Sequence, residues 1–442
     1  MNNSTSIKLI SHASVIISTS DCKILTDPWF FGKAFNNSWS LYPESSWDNH
    51  YLEEITHIWI SHEHPDHFNI PTLKSLPESF KKRVKVIYQR NNSDKIPNAI
   101  KGFLGFHNVI LIENNIFFDL TDETTIMISQ IGFVPDSILM VKNGNYTILN
   151  VNDSEINEKD CKKLKNKIGK IDVVLNQFSI AGYRGKWNYR QRLKKYAKSI
   201  LDNIVENHKN LDTEVTIPFA SLMYFSDKDN MFINKFTNKL DMVKSRFDEE
   251  GLCMNVLYPG DTYVLGNNYN SDHAVEKYKV DYKNLVNQEF RVPEVIKLDE
   301  IKNNFLKRHK HLIKYFPRWL IKRCQPIKFL VTDINKTVRL SYSDGEFEEI
   351  FSDKFDISIG SEALNFSFSQ TWGISTVAVG GKYLVKNKWE VWKWYKIISS
   401  LDNAEFYLKP KFLFSIKNFN YLRSRYSGLL NQIIYKIRRM KT

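Results

Sequence analysis

Cysteine is scarce and scattered. The 442-residue chain has four, Cys22, Cys161, Cys253 and Cys324, and no two of them form a CxxC pair. That spacing excludes a zinc ribbon and a disulfide framework, and it predicts a reducing, cytoplasmic location. No apolar run is long enough to span a bilayer. The opening MNNSTSIKLISHASVIIS lacks the basic start and apolar core of a signal peptide. Acid is missing from two segments. Lys307 to Cys324 carries seven Lys or Arg and Phe406 to Thr442 carries nine, with no Asp or Glu in either. These 16 cations exceed the net charge of +13, so the rest of the chain is slightly negative. Both segments interleave bulky apolar residues with cations. They read either as amphipathic helices packed on the body or as a peripheral contact, through 406–442, with an anionic membrane or an acidic partner. No recognition motif for nucleic acid accompanies the charge, so nucleic acid is not an expected partner.

What is present is a globular chain. The apolar fraction of 42% and the aromatic fraction of 14% supply real cores, and the length predicts two or three domains. Ser6 to Ser18 and Cys22 to Thr26 read as a β-hairpin linked by STSD. Ile55 to Ile60 is a short apolar strand, and a helix is predicted from about Pro71. Strands follow at Val84 to Tyr88, Thr124 to Gln130, Ser137 to Val141 and Tyr146 to Val151. A helix over Asp160 to Lys170 then precedes the strand IDVVLNQF. Strands alternating with helices predict an α/β sandwich with ligands at the strand ends. After Lys328 the pattern changes to a small α+β domain, with a hairpin at Ser343-Asp344-Gly345 and a turn at Gly380-Gly381.

The chemistry concentrates in one place. The strand ending at Ile60 runs into Ser61-His62-Glu63-His64-Pro65-Asp66-His67, which holds three of the eleven histidines. Imidazole nitrogen and carboxylate oxygen together suit zinc, iron and manganese. In a loop at a strand end, His62 and His64 point to one side and reach one metal. Asp66 and His67, past the bend at Pro65, reach a second position. Two adjacent metals can share a hydroxide and hold a substrate oxygen. A further ligand is expected from Asp153, at the end of another strand in TILNVNDSE.

This HxHxDH spacing resembles the metallo-β-lactamase superfamily. DPWFFGKAFNNSW, WISHEHPDHFNIPTLKSL, YTILNVNDSEI and TIPFASLMYFSDKDNMFINKF follow in an order similar to the catalytic region of the CMP-N-acetylneuraminate hydroxylase family, over roughly Lys8 to Tyr263. That family's Rieske domain needs paired Cys and His motifs, which this sequence does not contain. The resemblance implies a metallo-β-lactamase-like αββα sandwich. It implies a metal-binding catalytic domain over 1–265; beyond it the residues themselves read as a basic helical linker region over 266–328, a small α+β domain over 329–405 and a basic amphipathic helical tail over 406–442. It also implies His62, His64, Asp66, His67 and Asp153 as metal ligands, with Asp66 and Asp153 in catalysis. Two histidines of the superfamily pattern are missing. MISQIGFVPDSILMV offers only Gln130 and Asp136 as donors, and NQFSIAGYRGKWN has no histidine. His12 in the first hairpin and Asp27 in DPWFFG are expected to support the ligands from behind.

The substrate-binding candidates are Tyr183, Arg184, Lys186 and Trp187 in AGYRGKWNYR, and Tyr224 and Asp227 in PFASLMYFSDKDN. Cations among aromatics suit a phosphate or sugar carboxylate beside a stacked base. Three functions stay open. The first is a non-haem iron hydroxylase or monooxygenase, with one iron or two, acting on a nucleotide-sugar or amino-sugar with an external electron donor. The second is a metal-dependent hydrolase, with zinc, of a phosphodiester, lactone or amide. The third is a metal-poor binding protein on the same fold.

Overall fold

The computed structural model describes residues 4–90, 94–131, 136–183, 185–416 and 418–419. Ser6 to Ser18 does not run as one strand. It folds back at His12-Ala13, so Ser6–Ser11 and Ser14–Ser18 pair antiparallel, with Ser11 opposite Ser14. Lys23–Thr26 is therefore the third strand of a meander, not the second of a hairpin. No Gly or Pro marks the turn. Two serines close it instead: Ser11 Oγ donates to the carbonyl of Trp29, and Ser14 Oγ to that of Asp27.

Seven strands make the first sheet, in the order Thr262–Val264, Ser6–Ser11, Ser14–Ser18, Lys23–Thr26, His57–Ile60, Lys85–Gln89 and Asn108–Ile112. Six make the second: Val215–Phe219, Val173–Gln177, Tyr146–Asn152, Asp136–Asn143, Thr124–Ile131 and Phe117–Asp119. Their inner faces share one core that includes Ile7, Leu9, Ile24, Trp59, Ile126, Leu139, Ile148, Leu175 and Ile217. Alternation sends Ile58 and Ile60 outward, against Leu73, Phe80 and Ile100 of three short helices. On the far side Leu149, Val151 and Val174 pack on Cys161 and Leu164 of helix Glu158–Ile168. The layers are helix, sheet, sheet, helix: the expected αββα sandwich. Each fully buried Ile or Leu contributes about 2 kcal/mol to it.

A five-stranded sheet forms the C-terminal unit, in the order Glu346–Ile350, Lys336–Ser341, Ile327–Val331, Ile357–Ile359, Tyr383–Val385. The expected hairpin lies between its first two strands. Helix Leu298–Tyr315, within segment 266–328, gives Ile301, Phe305 and Leu312 to the same core. That core continues into Trp29, Phe35, Trp39, Ile180, Tyr183 and Phe225, so the C-terminal unit packs on loops at the sandwich's edge. A small sheet of Met223–Phe225, Trp39–Leu41 and Lys33–Ala34 lies at this junction. In the tail, Tyr407 stacks on Tyr315 at 4.2 Å and Pro410–Leu413 is helical. The rest of the expected tail helix, 417 and 420–442, lies outside the described residues. Among the described residues no helix is long and apolar enough to cross a membrane.

Candidate metal centre

Strand His57–Ile60 delivers the histidine loop to the end of the first sheet, and strand Tyr146–Asn152 delivers Asp153 to the same end of the second. The loop is pinned on both sides. Ser137 Oγ, on the second sheet, donates to the carbonyl of Ser61 at 2.6 Å. Beyond the loop Asn69 caps helix Ile70–Ser75 through the amide of Thr72 and reaches back to the carbonyl of Pro65.

Asp27 anchors the centre from behind. It is fully buried, and its carboxylate accepts from the Ser61 amide at 2.7 Å, Ser61 Oγ at 2.6 Å and Asn152 Nδ2 at 2.7 Å. His67 Nδ1 lies 3.0 Å from Asp27 Oδ2. A carboxylate only accepts, so His67 carries a proton on Nδ1 and turns Nε2 toward the centre. His62 follows the same logic. Ser61 Oγ gives its hydrogen to Asp27, so it can only accept from His62 Nδ1, 3.0 Å away. His62 Nε2 is then an acceptor, with His64 Nδ1 2.8 Å away. Asp27 and Asn152 each hold a positive φ, +35° and +61°, where their strands turn toward the centre.

The freed atoms converge. His62 Nε2 is 3.8 Å and His67 Nε2 is 3.6 Å from Asp153 Oδ2. His67 Nε2 and His12 Nε2 each lie 3.3 Å from Asp66 Oδ2. His62 Nε2 and His64 Nδ1 are 2.8 Å apart. Three groups of donor atoms lie within 4.8 Å of one another: His62, His64 and Asp136; His62, His67 and Asp153; and His12, Asp66 and His67. Both nitrogens of His12, Nε2 of His67 and one oxygen each of Asp66, Asp136 and Asp153 are buried without a hydrogen-bond partner. Leaving one such atom unpaired costs about 1–3 kcal/mol, so this many in one place asks for a ligand. These donors fit a metal ion.

Charge balance agrees. Burial alone would pull the His67 imidazole down, yet Asp66, Asp153 and Asp27 hold it well above the usual histidine range. Burial would raise Asp66, but His67 and His12 hold it well below the usual carboxylate range. His62 is pushed down by burial, with Asp153 opposing. Burial favours the neutral form of Asp153, and His62 and His67 still keep its carboxyl low. The centre attracts positive charge to its middle.

Of the eight histidines outside the loop, only His12 joins such a group among the described residues. It stands where the donors are short, with its ring edge-on to Trp29 and to His67. Asp136 supplies the third donor beside His62 and His64. Ser61 and Asn152 are contacts of the candidate centre that the sequence did not single out. A serine before HxHxDH and an asparagine before the aspartate are common strand-end residues, and only contact with Asp27 shows their role.

The other candidates lie elsewhere. Lys186 pairs with Val385 of the C-terminal unit and sets its Nζ 4.8 Å from the Trp389 ring. Trp187 is 53% exposed, with Lys386 Nζ 5.2 Å from its ring. Tyr183 is buried against Tyr383 and Phe232. Arg184 is outside the described residues. Tyr224 packs edge-on against Tyr42 and Phe290. Asp227 is fully buried and bound to Lys382 Nζ at 2.8 Å and Arg291 Nη1 at 3.0 Å, so its carboxylate joins the two units.

Residues 6–200 match the family model of the beta-lactamase superfamily domain. A cytidine monophosphate-N-acetylneuraminic acid hydroxylase of Danio rerio is 24% identical over 381 residues, 77% of this chain and 58% of that protein. Its Mus musculus counterpart is 25% identical over 248 residues, 53% of this chain and 42% of that protein. The chain thus spans about half the length of the curated relatives it matches. Among solved structures, CmlA, a diiron β-hydroxylase from Streptomyces venezuelae, aligns at a TM-score of 0.43 and 18% identity, over 60% of this chain and 55% of that one.

Proposed function

We propose that this chain, built on a beta-lactamase superfamily domain over residues 6–200, is a two-metal enzyme that hydroxylates a small anionic substrate of the nucleotide-sugar or amino-sugar class. The observation that carries the reading is the convergence of metal-binding donors from His12, His62, His64, Asp66, His67, Asp136 and Asp153, with unpartnered buried atoms on His12, Asp66, His67, Asp136 and Asp153. His62, His64 and Asp136 would hold one ion; His12, Asp66 and His67 would hold the other; Asp153 lies between them. Four imidazoles and three carboxylates form a mixed set that suits iron better than a sulfur-rich set would. Iron held there supplies dioxygen activation, with electrons from an external donor.

The chain's own residues do the rest. Asp27 and Ser61 fix the proton on Nδ1 of His67 and His62, which keeps both Nε2 atoms available. Trp29, wholly buried beside His12, keeps water from that side. Asp153 is the more open of the two carboxylates, with 17% of its side chain exposed against 3% for Asp66. Substrate approaches past Asp153, whose Oδ1 has no other partner and can take or return a proton. Trp187 and Lys386 offer an exposed ring and a cation to a nucleotide base and phosphate.

A second reading uses that same unpartnered Asp153 Oδ1. With zinc on the same donors, it would take a proton from water during hydrolysis of a phosphodiester, lactone or amide. One experiment separates the two. Protein purified without oxygen is analysed for metals, then given ferrous iron, a reductant and a CMP-sugar in an oxygen electrode. Substrate-dependent dioxygen uptake is expected. Hydrolysis by the zinc form with no uptake by the iron form overturns the hydroxylase reading, and no bound metal under either condition leaves a binding protein.

A further inference from the structure

Phe35, Asn36 and Asn37 have φ of +51°, +53° and +59°. Three consecutive residues with side chains in the left-handed region are costly, because each Cβ crowds the following carbonyl. Such a turn persists only when its surroundings hold it. It joins Lys33–Ala34 to Trp39–Leu41 and closes with the Ser38 amide on the carbonyl of Ala34 at 3.0 Å. Its first residue faces the metal centre: the rings of Phe35 and His64 lie 6.0 Å apart.

The hold comes from the C-terminal unit. Lys382 is 1% exposed, and its Nζ donates to the carbonyl of Asn36 at 2.9 Å and to Asp227 at 2.8 Å. Asn230 Nδ2 donates both to the carbonyl of Ser38 at 2.9 Å and to that of Gly380 at 2.7 Å. Gly380 itself comes so close that a Cβ there would collide with Ser38 Oγ. Arg291 completes the cluster, bridging Asp227 to both oxygens of Glu362.

We propose that Lys382 is a positioning residue: by tethering the carbonyl of Asn36 it keeps a strained left-handed turn closed and Phe35 packed on His64, so the C-terminal unit sets the geometry of a ligand histidine it does not touch. Remove the tether and the turn relaxes toward ordinary φ values. Phe35 then withdraws, and the half-buried His64 ring gains rotational freedom. The value of this to catalysis rests on the metal reading; the tether itself does not.

The test uses the full chain without added metal. Lys382→Met leaves Asp227 with Arg291, so the buried carboxylate keeps a cation. In Lys382→Met, amide exchange across residues 33–39 should quicken at least 10-fold, and diethyl pyrocarbonate should modify His64 at least 5-fold faster by peptide mass. Adding Asn36→Gly, which removes the left-handed penalty without losing the carbonyl, should restore at least half of both effects. Lys393→Met, on an exposed helix face, should change neither. Unchanged exchange at 33–39 overturns the tether. Faster His64 labelling that glycine fails to rescue, alongside a general fall in unfolding midpoint, reduces Lys382 to a stabilising residue and also overturns it. Because neither readout needs a metal, an absence of bound iron or zinc would sink the proposed enzyme and leave this result standing.

Discussion

His67 Nδ1 sits 3.0 Å from Asp27 Oδ2, and both residues are fully buried. That one contact places a proton on Nδ1 of a candidate ligand histidine. The same carboxylate orders Ser61 and Asn152, so it bears on His62 as well. Asp27→Ala should therefore lower metal affinity about 10–100-fold while leaving every direct ligand in place. Competition with a calibrated chelator measures this. An affinity within twofold of the unaltered protein would show that the tautomers are set by something else.

Loss of His62 or Asp153 should be more severe. His62→Ala and Asp153→Ala each remove a donor common to the centre, and each should abolish most bound metal. Full occupancy in His62→Ala protein, by elemental analysis, would contradict the assignment.

The two ends of the centre should separate. His12→Ala touches only the group with Asp66 and His67, and Asp136→Ala only the group with His62 and His64. Each is expected to reduce two bound ions to one, and the double variant to leave fewer than one. Two ions retained in His12→Ala would return His12 to a packing role beside Trp29.

A pH effect should arise at the junction of the two units. Burial first, and then the charges of Asp227, Asp333 and Glu362, raise the Asp229 carboxyl to about 6, with Lys382 opposing them. A carboxyl raised in the fold favours the folded state when protonated. That contribution is present below about pH 4 and is lost as pH rises through about 6. The change is worth on the order of 2 kcal/mol. Asp229→Asn has no proton to lose and gains no charge, so its unfolding midpoint relative to the unaltered protein should be higher at pH 7.5 than at pH 4.5. Equal offsets at both values would show that Asp229 ionises normally.

The parts of this molecule that were legible in its sequence are those whose cause is local. His62, His64, Asp66 and His67 fall within six positions, and ligand chemistry alone marks them. The apolar strand that ends at Ile60 and the helix start near Pro71 are local too. The turn at His12-Ala13 was missed because serine hydrogen bonds to Trp29 and Asp27 replace the usual Gly or Pro. Asp227 was read as a substrate-binding residue because it stands in the loop segment PFASLMYFSDKDN. Its partners Arg291 and Lys382 are 64 and 155 residues away, and no local pattern announces such pairing. The sequence marked Asp136 only as an available donor; its nearness to His64 depends on how one sheet stacks on the other.

The strand Thr262–Val264 pairs with Ser6–Ser11 and covers the edge of the first sheet. It therefore sets a clock for biosynthesis. Until the ribosome has passed residue 264, the amides of Ile7 and its neighbours face solvent along an open edge, which is where strands of different chains join. A polypeptide stopped at residue 200, where the superfamily match ends, would lack both this strand and Val215–Phe219 of the second sheet. Such a fragment should emerge aggregation-prone, and the shortest soluble piece of this chain should end beyond Val264.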